Sequence, residues 1–436
     1  MSLDWDSLDR ELADLLGAYR AALAALDEGR PAEPWWSWRL EPEGFAEVSE
    51  LDDPTARAFL AWLEVLLDER FVWRARQALA GAWNRPTKVA HLKAPIGLRA
   101  LRRRLLASPH PGERARDAEA FGRVAREASD LGVDLVERRL EQSRGRRFGE
   151  VEGLDDGAVV GLAEGWLART DDAAAEMLHR ERWWESLALA LGRGADEGWP
   201  AHLTARWLSH VFGEAFPDAV RFAPAAGPPW GATSFARALA DLGGWALSRA
   251  RPADLPLPLH QHPFGLRRHR RRALFAGLVV EPAFAGRVLG LGSGRARKHQ
   301  QGTATAILAS LRIDAARVLL AAALREGRAT ARERLSDLGP RLFGATVPDA
   351  LIAVLPELRP AHAAAFAGSL LATADRAELV ARFDEDWFQN PEALASLAAA
   401  DAQPMPVDDE ERRAALGQAL GEASAALAEL LESPFG

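Results

Sequence analysis

The sequence predicts an all-α fold: a large, irregular assembly of helices that is not a solenoid. Three observations carry this. Apolar residues recur at three- and four-residue steps through most of the 436 residues, the spacing that lines one face of a helix. Alternating β-branched runs are missing, since VVGL and RFVW are too short to count as strands. No fixed-period repeat occurs, which excludes a stacked-repeat architecture.

The elements follow in order. Residues 7–26 place Leu8, Leu12, Leu15, Leu16, Tyr19, Ala22 and Leu23 on one face. Residues 54–82 repeat the pattern through Leu60, Leu63, Leu67 and Phe71, with Pro54 where a first helical turn tolerates it. Residues 112–143 read as one long charged helix, followed by helices over 155–169 and 171–192, the second capped by Thr170 and Asp171. The stretch FPDAVRFAPAAGPPWGATS breaks the pattern with four prolines and two glycines. It divides the chain into an N-terminal half, 1–215, a connector, 216–233, and a C-terminal half, 234–436, expected as two helical lobes. Thr233 and Ser234 then cap a helix through Leu247. A second breaker covers 251–265, a helix runs to about Val280, and GLGSG at 290–294 turns into a long helix reaching about 326. That helix is apolar nearly all round and should be central, with Asp314 and Arg317 as a buried pair three residues apart. Three or four more helices fill 346–430.

Composition narrows the chemistry. The chain contains no cysteine, so disulfides, thiol nucleophiles and Cys-ligated metals are excluded. No run approaches the ~18 apolar residues of a membrane span. The acidic, amphipathic N-terminus lacks a signal-peptide profile, so a bacterial-type cytoplasm is the expected compartment. Lys88, Lys93 and Lys298 are the only lysines, so an isolated arginine carries little weight and only clusters count. Fifteen tryptophans are expected to anchor helix packing.

Motifs exclude more than they assign. No His-Glu dipeptide occurs, so the zincin motif is absent, and the single Glu176-x-x-His179 lacks the second pair a di-iron bundle needs. No Gly-x-Ser-x-Gly elbow or Walker ending occurs. GLGSGRARKH reads as an inter-helix turn, with anion binding at a helix N-terminus as the other reading. The acid pairs Asp52–Asp53, Asp171–Asp172 and FDEDWF read as solvated helix starts.

SFARALADLGGWAL at 234–247 and RFDEDWFQNPEAL at 382–394, in a long Trp-rich helical chain, resemble helical gluzincin peptidases of the oligoendopeptidase type. The likeness is one of texture over the second half. Without His-Glu-x-x-His, it implies a catalytically dead relative and carries over no functional residue.

The strongest anomaly is electrostatic. Between Gln261 and His299 lie nine Lys or Arg and one acid, an excess of eight in a chain of net charge −8. On a helix over 267–280, Arg267, Arg268, Arg271 and Arg272 continue the apolar face of Leu274, Phe275, Leu278 and Val279, while His269 and Arg270 point away. Three readings stay open: arginines snorkelling on a surface helix, internal pairing with FDEDWF as the favoured acids, or an external anion or partner. The candidate anion- or partner-binding residues are Arg267, Arg268, Arg271, Arg272, Arg295, Arg297 and Lys298. His260 and His262 are weak metal candidates. No catalytic residue and no cofactor is assigned.

The leading expectation is a non-catalytic, partner-binding or scaffold protein, a pseudoenzyme in the degenerate-peptidase form. Its partner is a protein or a small anion; the acidic remainder of the chain disfavours long nucleic acid. The alternative is an enzyme with an Arg/His-lined site between the halves, with Glu281, Asp384 or Asp386 as acids.

Overall fold

The computed structural model describes residues 4–51, 53–108, 110–142, 156–177, 182–191, 207, 210, 212, 232–350, 361–405 and 410–435. Helices dominate them, and the strand pairing described is a two-residue antiparallel ladder, Pro86 opposite Gly97 and Thr87 opposite Ile96. The fold is all-α, as the periodicity predicts. No described helix is long and apolar enough to cross a membrane. The predicted connector lies outside the described residues from 216 to 231.

The first helix, Trp5–Asp27, starts where the Asp4 carboxylate accepts from the Asp6 and Ser7 amides. Its leucine face packs with Pro42–Ser49 and Pro54–Phe71 into an N-terminal core of Leu8, Leu12, Phe59, Leu63, Trp35 and Trp73. The stretch predicted as one helix over 54–82 is two, Pro54–Phe71 and Trp73–Asn84, meeting at buried Val72. The break turns Trp73 onto Trp35 and Tyr19, with ring centroids 6.0 and 6.4 Å apart. The predicted helix over 112–143 likewise divides at Ala125 into Pro111–Val124 and Arg126–Gln142. The first half packs on Leu98–Ala107 and the second on Trp73–Asn84.

The second, larger core runs from Trp83 to Leu431 and draws on described residues either side of 216–233. Its axis is the helix Ser293–Glu326, which buries Leu308, Leu311, Ile313, Ala316, Leu319 and Leu320 on successive faces. Asp156–Met177, Trp183–Leu191, Arg328–Phe343 and Ala361–Phe383 surround it. Asp156–Met177 corrects one expectation, because it runs unbroken through Thr170 and Asp171. Neither residue caps a helix. Both are claimed by Arg312 of the central helix, 1% exposed, which donates to the Thr170 hydroxyl at 2.6 Å and the Asp171 carboxylate at 2.7 Å. Of the tryptophans, Trp166 and Trp387 are fully buried anchors of this core.

Candidate functional site

The arginine segment folds as a helix, Leu266–Ala276, entered through Gly265, whose φ of +68° suits glycine best. It lies between the helices Ala232–Ala250 and Ala361–Phe383. Both neighbours come unusually near. A Cβ on Gly243 would sit 2.6 Å from the Arg271 carbonyl oxygen, and one on Gly368 would sit 2.7 Å from the Arg270 nitrogen. Glycine on each side is what allows the helix to be flanked at this distance.

Packing on two sides decides where the guanidinium groups go. Arg271 is buried and forks onto Asp401, Nε to Oδ2 at 2.9 Å and Nη2 to Oδ1 at 2.6 Å. Arg272 donates through Nη1 to Asp241 at 2.6 Å. Arg267 donates to the carbonyls of Gln403 at 2.7 Å and Ala400 at 3.2 Å, at the end of the helix Pro391–Asp401. A cation there meets the negative end of a neighbouring helix, which offsets its place at the positive end of its own. Arg268 is exposed, so the four-arginine buried stripe shrinks to one buried and two half-buried members. Arg270, projected to point away, holds Asp375 with Nε at 2.7 Å.

The acids opposite are therefore Asp241, Asp375 and Asp401, and the favoured FDEDWF cluster is not among them. In that cluster Asp386 bonds Arg287, while Trp387 and Phe388 are buried packing residues. Five arginines against three aspartates leave this helix and its partners with two positive charges in excess. The segment is also less singular than it reads. Residues 85–126 carry eleven Lys or Arg against three acids, the same excess.

The weak metal candidates are both engaged. His260 is buried, its Nε2 lies 2.7 Å from the Asp401 carbonyl oxygen, and its Nδ1 lies 3.4 Å from the Gln261 amide. Burial holds its pKa below the ordinary imidazole value. His262 accepts from the Phe264 amide through Nδ1 at 3.3 Å. Among the described residues, no three His, Asp or Glu lie together as metal ligands would. His179 lies outside the described residues. Arg295, Arg297 and Lys298 are exposed at the start of the central helix, where Arg297 reaches the Pro434 carbonyl at 3.3 Å. They do not join the arginine helix in one site.

The site the geometry does form is a cavity of about 500 Å³ among the helices of the larger core. The central helix lines it with Thr303, Ile307, Ser310 and Asp314, and Ala361–Phe383 contributes Ala365, Ala372, Thr373 and Arg376. His269 and Arg272 of the arginine helix also face it, so His269 does not point to solvent as projected. Alanine, leucine and isoleucine make up about half of the wall, Arg237 and His362 also line it, and two of its arginines pair with acids of the wall. Arg376 forks onto Glu281, and Arg317 meets Asp314 at 2.6 Å, the pair expected from the sequence. Burial raises the Asp314 carboxyl above the usual carboxylate range, against the pull of Arg317. Burial, together with Arg272 and Arg268, holds the His269 imidazole down to about 4, so it is neutral near pH 7. That ring makes no hydrogen bond among the described residues, and Arg272 spends only Nη1 on Asp241. Glu281 and His269 were flagged by the sequence, whereas Arg376 and Arg312 carried no local signal.

No protein-family model matches the chain, and no curated protein matches it. Among solved structures, oligoendopeptidase-F from Enterococcus faecium is similar over 97% of this chain and 98% of that one. The identity is 11% and the TM-score 0.45.

Proposed function

We propose that this chain is a binding protein whose interhelical cavity holds a small organic ligand, and that it acts without breaking bonds. The observation that carries this is the cavity itself. At about 500 Å³, with apolar residues over more than half of its wall and polar groups set among them, it has the size and character of a small-molecule pocket between helices. Its carboxylates support binding over catalysis, since Glu281 and Asp314 are each committed to an arginine. Among the described residues, no carboxylate orients His269 as a general base. The partner is a small ligand in this reading; exposed Arg295 and Lys298 are open to a protein partner.

A thermal-shift screen of organic acids, bases and neutral molecules tests the reading on the wild type and on Ala306→Trp, which fills the cavity. One chemical class should raise the melting temperature of the wild type and leave the filled variant unmoved, because a ligand of the folded state stabilises it in proportion to its occupancy. Indistinguishable responses from the two folded proteins would end the proposal. A catalytic reading of the same cavity is favoured by Asp314, whose raised pKa suits a proton donor. It predicts that a bound ligand is recovered chemically altered, and recovered intact from Asp314→Asn.

A further inference from the structure

We propose that the cavity takes a medium-chain carboxylate, its acyl tail on the alanine-rich wall and its carboxylate received by the Arg272 guanidinium and the His269 imidazole; this rests on the reading of the cavity as a binding site. The head group is argued from donors. His269 and Arg272 stand three residues apart, on one face of their helix, and both line the cavity. Among the described residues, neither Nε and Nη2 of Arg272 nor the His269 ring has a hydrogen-bond partner. A guanidinium receives carboxylate oxygens side by side, and an imidazole N–H adds a further donor. Charge points the same way, because the cavity wall carries four arginines, Arg237, Arg272, Arg317 and Arg376, against two acids, Glu281 and Asp314.

The tail is argued from length and lining. The Thr303 hydroxyl, 3.4 Å from the Val279 carbonyl, and Arg376, held by Glu281, line the cavity together with His269 and Arg272. Gly368 abuts His269, a Cβ there lying 2.9 Å from the His269 Cβ. From Gly368 to Arg376 is eight residues, about 12 Å of helix. Beside the head-group donors the wall offers Ala273, Ala276, Ile307, Ala372, Leu427 and Leu430. Methylene groups suit such a wall. An extended peptide would bring amides to it, and Thr303 and Ser369 already bond backbone carbonyls of their own helices.

Calorimetric titration of the delipidated full chain tests this with hexanoate, decanoate, hexadecanoate, decanol, inorganic phosphate and an uncharged hexapeptide. Affinity should rise about four-fold per methylene above hexanoate and level off once the stretch is filled. Decanol should bind about ten-fold more weakly than decanoate, the worth of a charge-assisted pair. Arg272→Gln should bring decanoate down to decanol and leave decanol unchanged; if that variant does not fold, His269→Gln should narrow the same gap. Decanol equal to decanoate, or tighter binding of the peptide or phosphate, overturns the acyl carboxylate. Decanoate binding unaffected by Ala306→Trp overturns it too, by placing the ligand elsewhere. A different compound class binding in an Ala306→Trp-sensitive way would sink the acyl assignment and keep the cavity reading. No compound binding at all would sink both.

Discussion

At the scale of residues, position in the helix matters more than charge. Arg271 and Arg268 are three residues apart, yet one is 7% exposed and forked onto Asp401, and the other is exposed. Removing one member of a buried pair strands the other charge, at a cost of about 3–5 kcal/mol. Arg271→Gln should therefore lose about that much unfolding free energy in urea, while Arg268→Gln should lose less than ~0.5 kcal/mol. Similar losses in the two would mean that Arg271 is not held as described. The sequence made the cluster conspicuous because five arginines fall within six positions. It could not name their partners, since Asp241, Asp375 and Asp401 lie 31, 105 and 130 residues from the arginines that hold them. Proximity in the chain favours no acid, and the FDEDWF acids, expected opposite, are not the ones that meet this helix.

At the scale of elements, the glycines report how closely helices approach. Gly243 and Gly368 face backbone of the arginine helix, whereas Gly302, inside the central helix, has nothing within 4 Å of where a Cβ would stand. Gly243→Ala and Gly368→Ala should each cost about 1–3 kcal/mol by overpacking. Gly302→Ala should gain about 0.5–1 kcal/mol, because alanine suits a helix interior better than glycine. Melting curves of the three variants check the contrast, and a stable Gly368→Ala would show that the helices stand further apart. Helix existence was legible from periodicity, and the central helix was legible from its apolar faces. Boundaries were less so. At Val72 and Ala125 the apolar spacing continues while the axis turns, and the turn answers to neighbours distant in sequence. At Thr170 the letters spell a cap, but Arg312 satisfies those side chains from another helix and the backbone continues.

At the scale of the molecule, one charged cluster ties the N-terminal helices to the helix Arg126–Gln142. Glu69 accepts from the Tyr19 hydroxyl at 2.7 Å and from Arg76 at 2.6 Å, and Arg139 donates to its other oxygen. Burial works to raise this carboxyl, and Arg139, Arg76 and Tyr19 overcome it, holding the pKa at about 2. A folded value below the unfolded one gives stability that is present above about pH 5 and lost as pH falls through about 2. The contribution is about 3 kcal/mol, so Glu69→Gln should flatten the acid limb of a stability–pH curve between those limits. An unchanged limb would place the acid sensitivity elsewhere. What the sequence determined by itself was the helical class, the central helix, the absence of thiol chemistry and a basic segment out of keeping with an acidic chain. These are local quantities: period, composition and charge per stretch. Only the tertiary structure decided that three of the five helix arginines are neutralised by aspartates within the chain, that His269 turns inward, and that six helices leave a cavity between them. Each depends on which distant residues are brought within a few ångströms, and no spacing along one chain encodes that in a form readable from a single sequence.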